Sequence, residues 1–284
     1  IDNLAAVTKA NYLCNELGLD TISMGATVAC AMELFEKGLV SESEVGRSLN
    51  WGDAEALVEL TKKTAARDGF GDMLAQGSYR LAKHFGHPEL AMVSKKQEFP
   101  GYDPRGAQAM GLAYATSPIG GSHMRGDPAY FELFGIPQPM DPLEWKGKAK
   151  PTKAFQDLSA IIDAAGLCIF FTIRNLADKT LDVKPTGILK YLNAATGADY
   201  TLEELMQAGE RIINAERNFL VNAGFSKKED TLPRRLTQEP SPFGPAKGSV
   251  CHLDKMLDEY YKIRGWSEEG IPTKEKLETL KLMK

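Results

Sequence analysis

Apolar residues recur at intervals of three and four positions along most of this chain, the spacing that collects them on one face of an α-helix. Between Leu4 and Leu17 this spacing puts five apolar residues near one face: Val7, Ala10, Leu13, Cys14 and Leu17. Gly18 then suits a helix stop. The strict alternation that marks a half-buried strand is not found. The pattern therefore predicts an all-α fold.

Capping residues support the same prediction. Asp53 can accept the free N–H groups of a first helical turn, Thr201 and Glu204 have the spacing of a capping box, and Asp127 with Pro128 suits the start of a short helix. Besides that short helix, we expect helices at residues 23–37, 41–48, 53–67, 71–84, 106–116, 151–165, 201–221, 253–263 and 273–282.

A polar stretch that contains prolines, from Lys95 to Pro104, separates two helical regions. We therefore place a domain boundary near Ser94, which gives two helical domains, residues 1–94 and 95–284. A chain of 284 residues is long enough for one large or two medium domains.

Composition narrows the class of protein. The chain is 43% apolar and 25% charged, with a net charge of −4, which is ordinary for a soluble globular protein. The sequence has no basic run of the kind that binds nucleic acid, and no apolar stretch is long enough to span a membrane. The four cysteines lack a C-x-x-C pair, which favours a reducing, cytoplasmic environment over a disulfide framework.

The candidate chemistry lies in Asp163-Ala-Ala-Gly-Leu-Cys168, with a similar stretch at Asn15-Glu-Leu-Gly-Leu-Asp20. An Asp can accept two parallel N–H bonds from a planar edge, and a Gly lets the backbone approach a flat ligand. A cysteine thiolate can hold the iron of a cluster. From the residues alone, a buried core cysteine beside Leu167, Ile169 and Phe170 is the favoured interpretation of Cys168, because cysteine behaves as a small hydrophobic residue.

These two stretches resemble the D-x-x-G-L-C/D motifs that contact the pterin and the cluster in the tungsten-containing aldehyde:ferredoxin oxidoreductase family. Other stretches similar to the second and third domains of that family lie at residues 31–38, 70–78, 102–117, 216–219, 224–226 and 230–233. The resemblance implies oxidation of a small aldehyde to a carboxylic acid, a tungsten or molybdenum bis-pterin, a [4Fe–4S] cluster, ferredoxin as the electron acceptor, and a homo-oligomer.

The resemblance also implies roles for single residues. Cys168 matches the fourth cluster ligand, and the pterin-binding positions match the residues Asn15, Gly18, Leu19, Asp20, Arg125, Asp163, Gly166 and Leu167. His123 matches a histidine beside the metal and its substrate, and we expect it to handle a proton there.

Several of these roles have a structural alternative. Asp20 also suits an N-cap, and Asp163 could be an acid at a helix end. His123 could lie in a solvated loop. Tyr102, Asp103 and Arg105 could line the same cavity as His123, beside the metal and the substrate. Alternatively, they could form a proline turn with a local ion pair. Asn15 stands where the family often has Asp; because an amide carries its own donors, it cannot accept two N–H bonds as a carboxylate can.

Enzymes of this family also carry a β-rich N-terminal domain and a C-x-x-C-x-x-x-C run that supplies three cluster ligands, and neither occurs in this chain. We therefore expect a C-terminal part of a larger enzyme, with that domain or a separate chain as its partner. Alone, it should be cofactor-free, inactive and prone to self-association through an apolar surface around Ala113, Ala115, Gly166 and Leu167.

Two other functions remain compatible with the sequence. A relative on the same scaffold could reduce an aromatic acyl thioester. The chain could instead be a non-catalytic helical partner that kept the fold and lost the cofactor. Metal analysis would separate this last possibility from both enzymes.

Overall fold

The computed structural model describes residues 1–136, 138–170 and 186–283. It divides the chain into two compact units, Ile1–Pro100 and Gly101–Lys284. The described residues contain fourteen α-helices, two short 3₁₀-helices and one two-stranded sheet. The prediction of an all-α fold is confirmed. No helix among these residues is long and apolar enough to cross a bilayer.

The first unit is a helical cluster closed by a small hairpin. Its helices are α1 (Leu4–Leu17), α2 (Thr21–Glu36), α3 (Glu42–Val45), α4 (Ala54–Ala66), α5 (Phe70–Leu74) and α6 (Ser78–His84), followed by a 3₁₀-helix at Pro88–Leu90. β1 (Val93–Ser94) then pairs antiparallel with β2 (Gln97–Glu98). Ser94 therefore lies inside a hairpin, and the unit runs on to Pro100. The correspondence of the two units to the family's domains stays a prediction.

One predicted helix is wrong in this unit. Residues 71–84 form the two helices α5 and α6, not one, because Gly77, which lies between them, adopts a φ of +82° outside the helical region. At the other end of α5, Gly71 lies directly on the backbone of α4, where a Cβ would collide with the carbonyl of Lys63. This close approach packs α5 against α4, which in turn packs against α1.

The second unit is built around one central helix. Its helices are α7 (Gln108–Thr116), α8 (Ala129–Glu132), α9 (Ala149–Ala164), α10 (Thr186–Thr196), α11 (Leu202–Asn222), α12 (Arg234–Gln238), α13 (Leu253–Arg264) and α14 (Lys274–Thr279), with a 3₁₀-helix at Lys227–Glu229. The central helix α9 packs against α7, α11 and α13. α10 and α12 were not predicted from the sequence.

Two features bring neighbouring helices close to α9. Gly209 of α11 packs on the backbone of Asp157, where no Cβ would fit. Arg264 of α13 is fully buried and donates to Asp157, to Tyr260 Oη at 2.9 Å and to Gln156 Oε1 at 2.8 Å. Because these partners compensate the charge, the guanidinium can lie in the interior.

All nine residues of α7 are buried, and this corrects one expectation. Ala113 and Ala115 are 0% exposed, so they cannot form the predicted apolar surface. The small side chains serve close packing within this unit, since a Cβ on Gly111 would collide with Cys251. Glu132 completes the burial by accepting the N–H of Ala109 at 2.9 Å at the start of the helix. Gly166 is exposed and Leu167 is half-buried.

Candidate functional site

The two Gly-Leu stretches share one backbone geometry. Gly18 and Gly166 both follow a helix in the left-handed region, with φ of +72° and +67°. The N–H of the next residue then bonds back into the helix, from Leu19 to Cys14 O at 2.8 Å and from Leu167 to Ile162 O at 3.0 Å. This is the hydrogen-bond pattern of a Schellman helix end. Helix termination thus accounts for the Gly and the Leu, while the flanking polar residues need a separate explanation.

In the first unit, the flanking residues are engaged locally. Asn15 donates from Nδ2 to Asn11 O at 2.9 Å, one turn back along α1. Asp20 accepts the N–H of Ser23 at 2.7 Å through Oδ1 and is the N-cap of α2. The capping alternative for Asp20 is therefore present in the structure. Its side chain is exposed, so a ligand role stays open as a prediction.

In the second unit, the loop of His123 and Arg125 rests on α9. Gly126 has a φ of +91° and packs against Gln156 so closely that a Cβ would collide with it. Its N–H donates to Ser159 Oγ at 3.1 Å. Ser159 and Asp163 are four residues apart and share a face of the helix. The contact at Gly126 therefore brings the preceding residue, Arg125, to the end of α9.

Arg125 is held between two carboxylates. Its Nη1 lies 2.9 Å from Asp163 Oδ2, and its Nη2 lies 2.9 Å from Glu216 Oε1 on α11. The structure thus brings together two of the predicted pterin-binding residues, Arg125 and Asp163. Asp163 is also the predicted acid at a helix end, and half of its side chain is exposed (51%).

His123 lies near a group of ionisable side chains. Its ring centroid is 6.0 Å from that of Tyr102, and burial lowers the pKa of His123. Asp127, 4% exposed, accepts the N–H of Ala129 at 3.1 Å, and burial raises its pKa from 3.8 to about 6. Burial and the Asp127 carboxylate both raise the pKa of Tyr102. His123 is half-buried, in contrast to the solvated loop of the alternative hypothesis.

Two hypotheses were made for Tyr102, Asp103 and Arg105: that they line the cavity, or that they form a turn with a local ion pair. The structure supports a different one for different residues. Arg105 donates to Asp103 Oδ2 at 2.7 Å and to Glu239 O at 3.3 Å, so the local ion pair is present. Tyr102 instead contacts His123. We keep Tyr102 as a residue of the candidate site and assign Asp103 and Arg105 to the turn.

Cys168 differs from the other three cysteines. Cys14, Cys30 and Cys251 are buried, whereas Cys168 is exposed. The structure thus overturns the alternative that Cys168 is a buried core cysteine. In the described part of the chain no group of three or more His, Cys, Asp or Glu side chains could hold a metal ion. A metal ligand at Cys168 would therefore act together with donors beyond these residues.

Two residues of this site were missed by the sequence analysis. Asp127 was considered only as a helix cap, and Glu216 only as part of a family-like stretch. A weak signal for Glu216 exists, because it lies one position from Arg217 and three from Ile213, both on the buried face of α11. A charged residue at the edge of a buried face needs a partner, but periodicity does not say which.

Comparison with known proteins now decides the family. The family profile described as "Aldehyde ferredoxin oxidoreductase, domains 2 & 3" matches residues 1–282. The chain belongs to the aldehyde ferredoxin oxidoreductase family. It is 50% identical over 284 residues to the tungsten-containing aldehyde ferredoxin oxidoreductase of Pyrococcus furiosus, covering 99% of this chain and 46% of that protein. The Thermococcus kodakarensis protein of the same name is 48% identical, and the match again covers 99% of this chain and 46% of that protein.

A solved structure extends the comparison. The active site complex BamBC of benzoyl coenzyme A reductase, in complex with 1,5-dienoyl-CoA, matches with a TM-score of 0.68 and 25% identity, over 93% of this chain and 44% of that one. The chain thus spans about half the length of the curated relatives it matches, which are oxidoreductases by name.

The residues present fit the flat cofactor that the tungsten family implies. Open space lies beside the backbone of Gly18 and of Gly166, since a Cβ there would meet no atom within 4 Å. The half-exposed carboxylate of Asp163 can accept N–H bonds from a planar edge. An exposed thiol at Cys168 can ligate iron, which a buried one could not do without rearrangement.

Proposed function

We propose that this chain supplies the two helical domains of a tungsten or molybdenum bis-pterin oxidoreductase that converts aldehydes to carboxylic acids. The balanced reaction is RCHO + H₂O → RCOOH + 2 e⁻ + 2 H⁺, with ferredoxin accepting the electrons one at a time through a [4Fe–4S] cluster. The observation that carries the proposal is the meeting of Arg125 and Asp163 at the end of α9, five residues before the exposed thiol of Cys168.

Each residue has a proposed task. Asp163 accepts N–H bonds from the pterin, Arg125 donates to it, and the open backbone at Gly166 and Leu167 allows a close approach. In the first unit, Asn15, Gly18, Leu19 and Asp20 form the corresponding cradle.

The protein's own chemistry is limited to binding, ligation and proton handling. The bound metal supplies the two-electron redox change. His123 takes up and releases a proton at its imidazole near the reacting carbonyl, and its lowered pKa keeps the ring neutral, and able to accept a proton, at neutral pH. Cys168 provides one of the four thiolates that the cluster needs.

A related enzyme that reduces an aromatic acyl thioester is the second candidate, favoured by the fold match to benzoyl coenzyme A reductase. The higher identity to the aldehyde enzymes, 50% against 25%, makes aldehyde oxidation our first choice. Comparing the turnover of small aldehydes with that of an aromatic CoA thioester would separate the two.

The proposal is tested on the intact protein by measuring tungsten, molybdenum and iron, and by the Cys168→Ala variant. We expect that variant to lose the cluster and electron transfer to ferredoxin. Cys251→Ala is the control, because its thiol is buried and burial raises its pKa. Unchanged iron content and an unchanged cluster spectrum in Cys168→Ala would refute the ligand assignment. A wild-type protein without either metal would refute the enzyme and favour a non-catalytic partner.

A further inference from the structure

Glu216 is the least explained residue of this site. One carboxylate oxygen, Oε1, accepts from Arg125 at 2.9 Å. The other, Oε2, is buried and has no hydrogen-bond partner among the residues that the structure describes. An unsatisfied buried oxygen is costly, and native structures contain few of them. A neutral residue at position 216 of α11 would cost the fold less stability than a partly buried carboxylate. The presence of Glu216 therefore calls for a functional reason.

The two partners of Arg125 are held differently. The side chain of Asp163 is 51% exposed at the end of α9, whereas that of Glu216 is 27% exposed, with one oxygen in the interior. An exposed ion pair is weak because water competes for both charges, and a partly buried pair is screened less. Separating Arg125 from Asp163 should therefore cost less than separating it from Glu216.

The ion pair also competes with the proposed cofactor. Arg125 already donates to Asp163 Oδ2, and both groups are expected to bind the pterin. Both oxygens of Asp163 would accept from a planar edge with paired donors, and Arg125 would itself donate to the pterin, so the guanidinium would exchange its contact with Asp163 for one with the cofactor. Without Glu216 as a second counter-ion, Arg125 would then have no carboxylate to hold it at the end of α9.

We propose that Glu216 is a positioning residue of the pterin site: it anchors Arg125 on α11, so that the contact between Arg125 and Asp163 can be exchanged for contacts with the bound pterin. This inference rests on the proposed function. On this proposal, the contact between Arg125 and Glu216 holds the loop of His123 in place whether or not the cofactor is bound. The raised pKa of Glu216, caused by burial and opposed by Arg125, agrees with a carboxylate kept for this purpose at a cost to the fold.

The test compares Glu216→Gln with Glu210→Gln in the intact protein. Glu210 is a matched control, since it lies on the same helix and is also ion-paired, with Lys276 at 3.1 Å and Lys153 at 3.4 Å. The measured quantities are the pterin content per polypeptide, the rate of pterin release, and the melting temperature of the cofactor-free protein. We expect Glu216→Gln to release pterin roughly 10- to 100-fold faster, by analogy with the loss of affinity when the partner that orients a metal ligand is removed.

The melting temperature separates positioning from a structural role. Because the Glu216→Gln substitution removes a buried charge, the cofactor-free melting temperature should stay the same or rise. A parallel fall in melting temperature and pterin retention would overturn the proposal. A double-mutant cycle with Arg125→Ala adds a second criterion: if Glu216 acts through Arg125, the double variant should release pterin no faster than Arg125→Ala alone. Additive effects would overturn the proposal as well.

The outcomes also separate this inference from the proposed function. A wild-type protein without pterin would refute the proposed function, and the inference with it. A loaded wild-type protein and an equally loaded Glu216→Gln variant, with equal release rates, would refute the inference alone.

Discussion

Arg217 Nη1 lies 2.9 Å from Asp230 Oδ1 in the interior of the second unit, where both residues are almost fully buried. Arg217 also donates from Nε to Gly270 O at 2.7 Å, and Asp230 accepts from Tyr261 Oη at 2.6 Å. The ion pair joins α11 to the segment before α12. It thereby connects two of the stretches that resemble the family and gives them a structural role.

We predict that Asp230→Asn strongly destabilises the chain. The change leaves the buried charge of Arg217 uncompensated, which costs about 3–5 kcal/mol in comparable cases. Thermal or urea unfolding of the 284-residue chain measures this loss. Asp258→Asn is the control, because Asp258 pairs with Lys227 at the surface and should change stability little. Equal effects of the two substitutions would contradict the prediction.

Two helical glycines should respond to alanine in opposite directions. Gly25 is exposed in α2 and has no atom within 4 Å of an added Cβ, so Gly25→Ala should stabilise the chain by roughly 0.5–1 kcal/mol. Gly209 packs on the backbone of α9, and Gly209→Ala should cost about 1–3 kcal/mol by forcing α11 away. Opposite shifts in melting temperature would confirm the close packing of α9 and α11, and a stabilising Gly209→Ala would argue against it.

Local signals in the sequence predicted most of the helices. The capping box at Thr201 is present, with Glu204 N–H donating to Thr201 Oγ1 at 3.2 Å, and α1 has the predicted bounds. Such features need only residues within one turn of each other. The break between α5 and α6 was missed because Gly77 could also occur within a helix, and only the structure gives its φ of +82°.

The candidate site was harder to predict because its contacts join distant parts of the chain. Arg125 and Glu216 are 91 residues apart, and no periodicity along α11 identifies that partner. The family resemblance predicted Arg125 and Asp163 as separate pterin-binding residues but not their contact. That contact follows from the packing of Gly126 on α9, which joins distant parts of the chain. Burial was equally hard to foresee: Ala113 and Ala115 of α7 were expected at a surface and lie in the core.

We predict that His123→Ala lowers turnover of the intact enzyme by roughly 10²-fold or more, the range for a positioned acid–base group, while pterin and metal content stay unchanged. Because burial lowers the pKa of His123 from 6.5, the wild-type activity attributed to its neutral form should persist to a pH below 6.5. His84→Ala, a change in an exposed histidine of α6, is the control. Wild-type turnover of His123→Ala at all pH values would return His123 to a structural role.

The last prediction concerns Asp127 and follows from its raised pKa. The folded chain holds this proton up to a pH of about 6, whereas an unfolded chain releases it near 3.8. The buried carboxylate therefore reduces stability progressively as the pH rises from about 4 to about 6, and the full reduction persists above that range. Asp127→Asn keeps an acceptor for the N–H of Ala129 and removes the charge.

We accordingly expect Asp127→Asn to stabilise the cofactor-free chain at pH 7–8 by on the order of 2 kcal/mol, with the gain shrinking as the pH falls from about 6 towards 4. Urea unfolding at a series of pH values measures this dependence. The exposed Asp258 provides the control variant Asp258→Asn, which should show no such dependence. A gain at pH 7–8 that persists undiminished at pH 4 would mean that the charge of Asp127 is not its cause. A loss of stability at pH 7–8 would show that the ionised carboxylate is stabilised in the fold, and that its pKa is not raised.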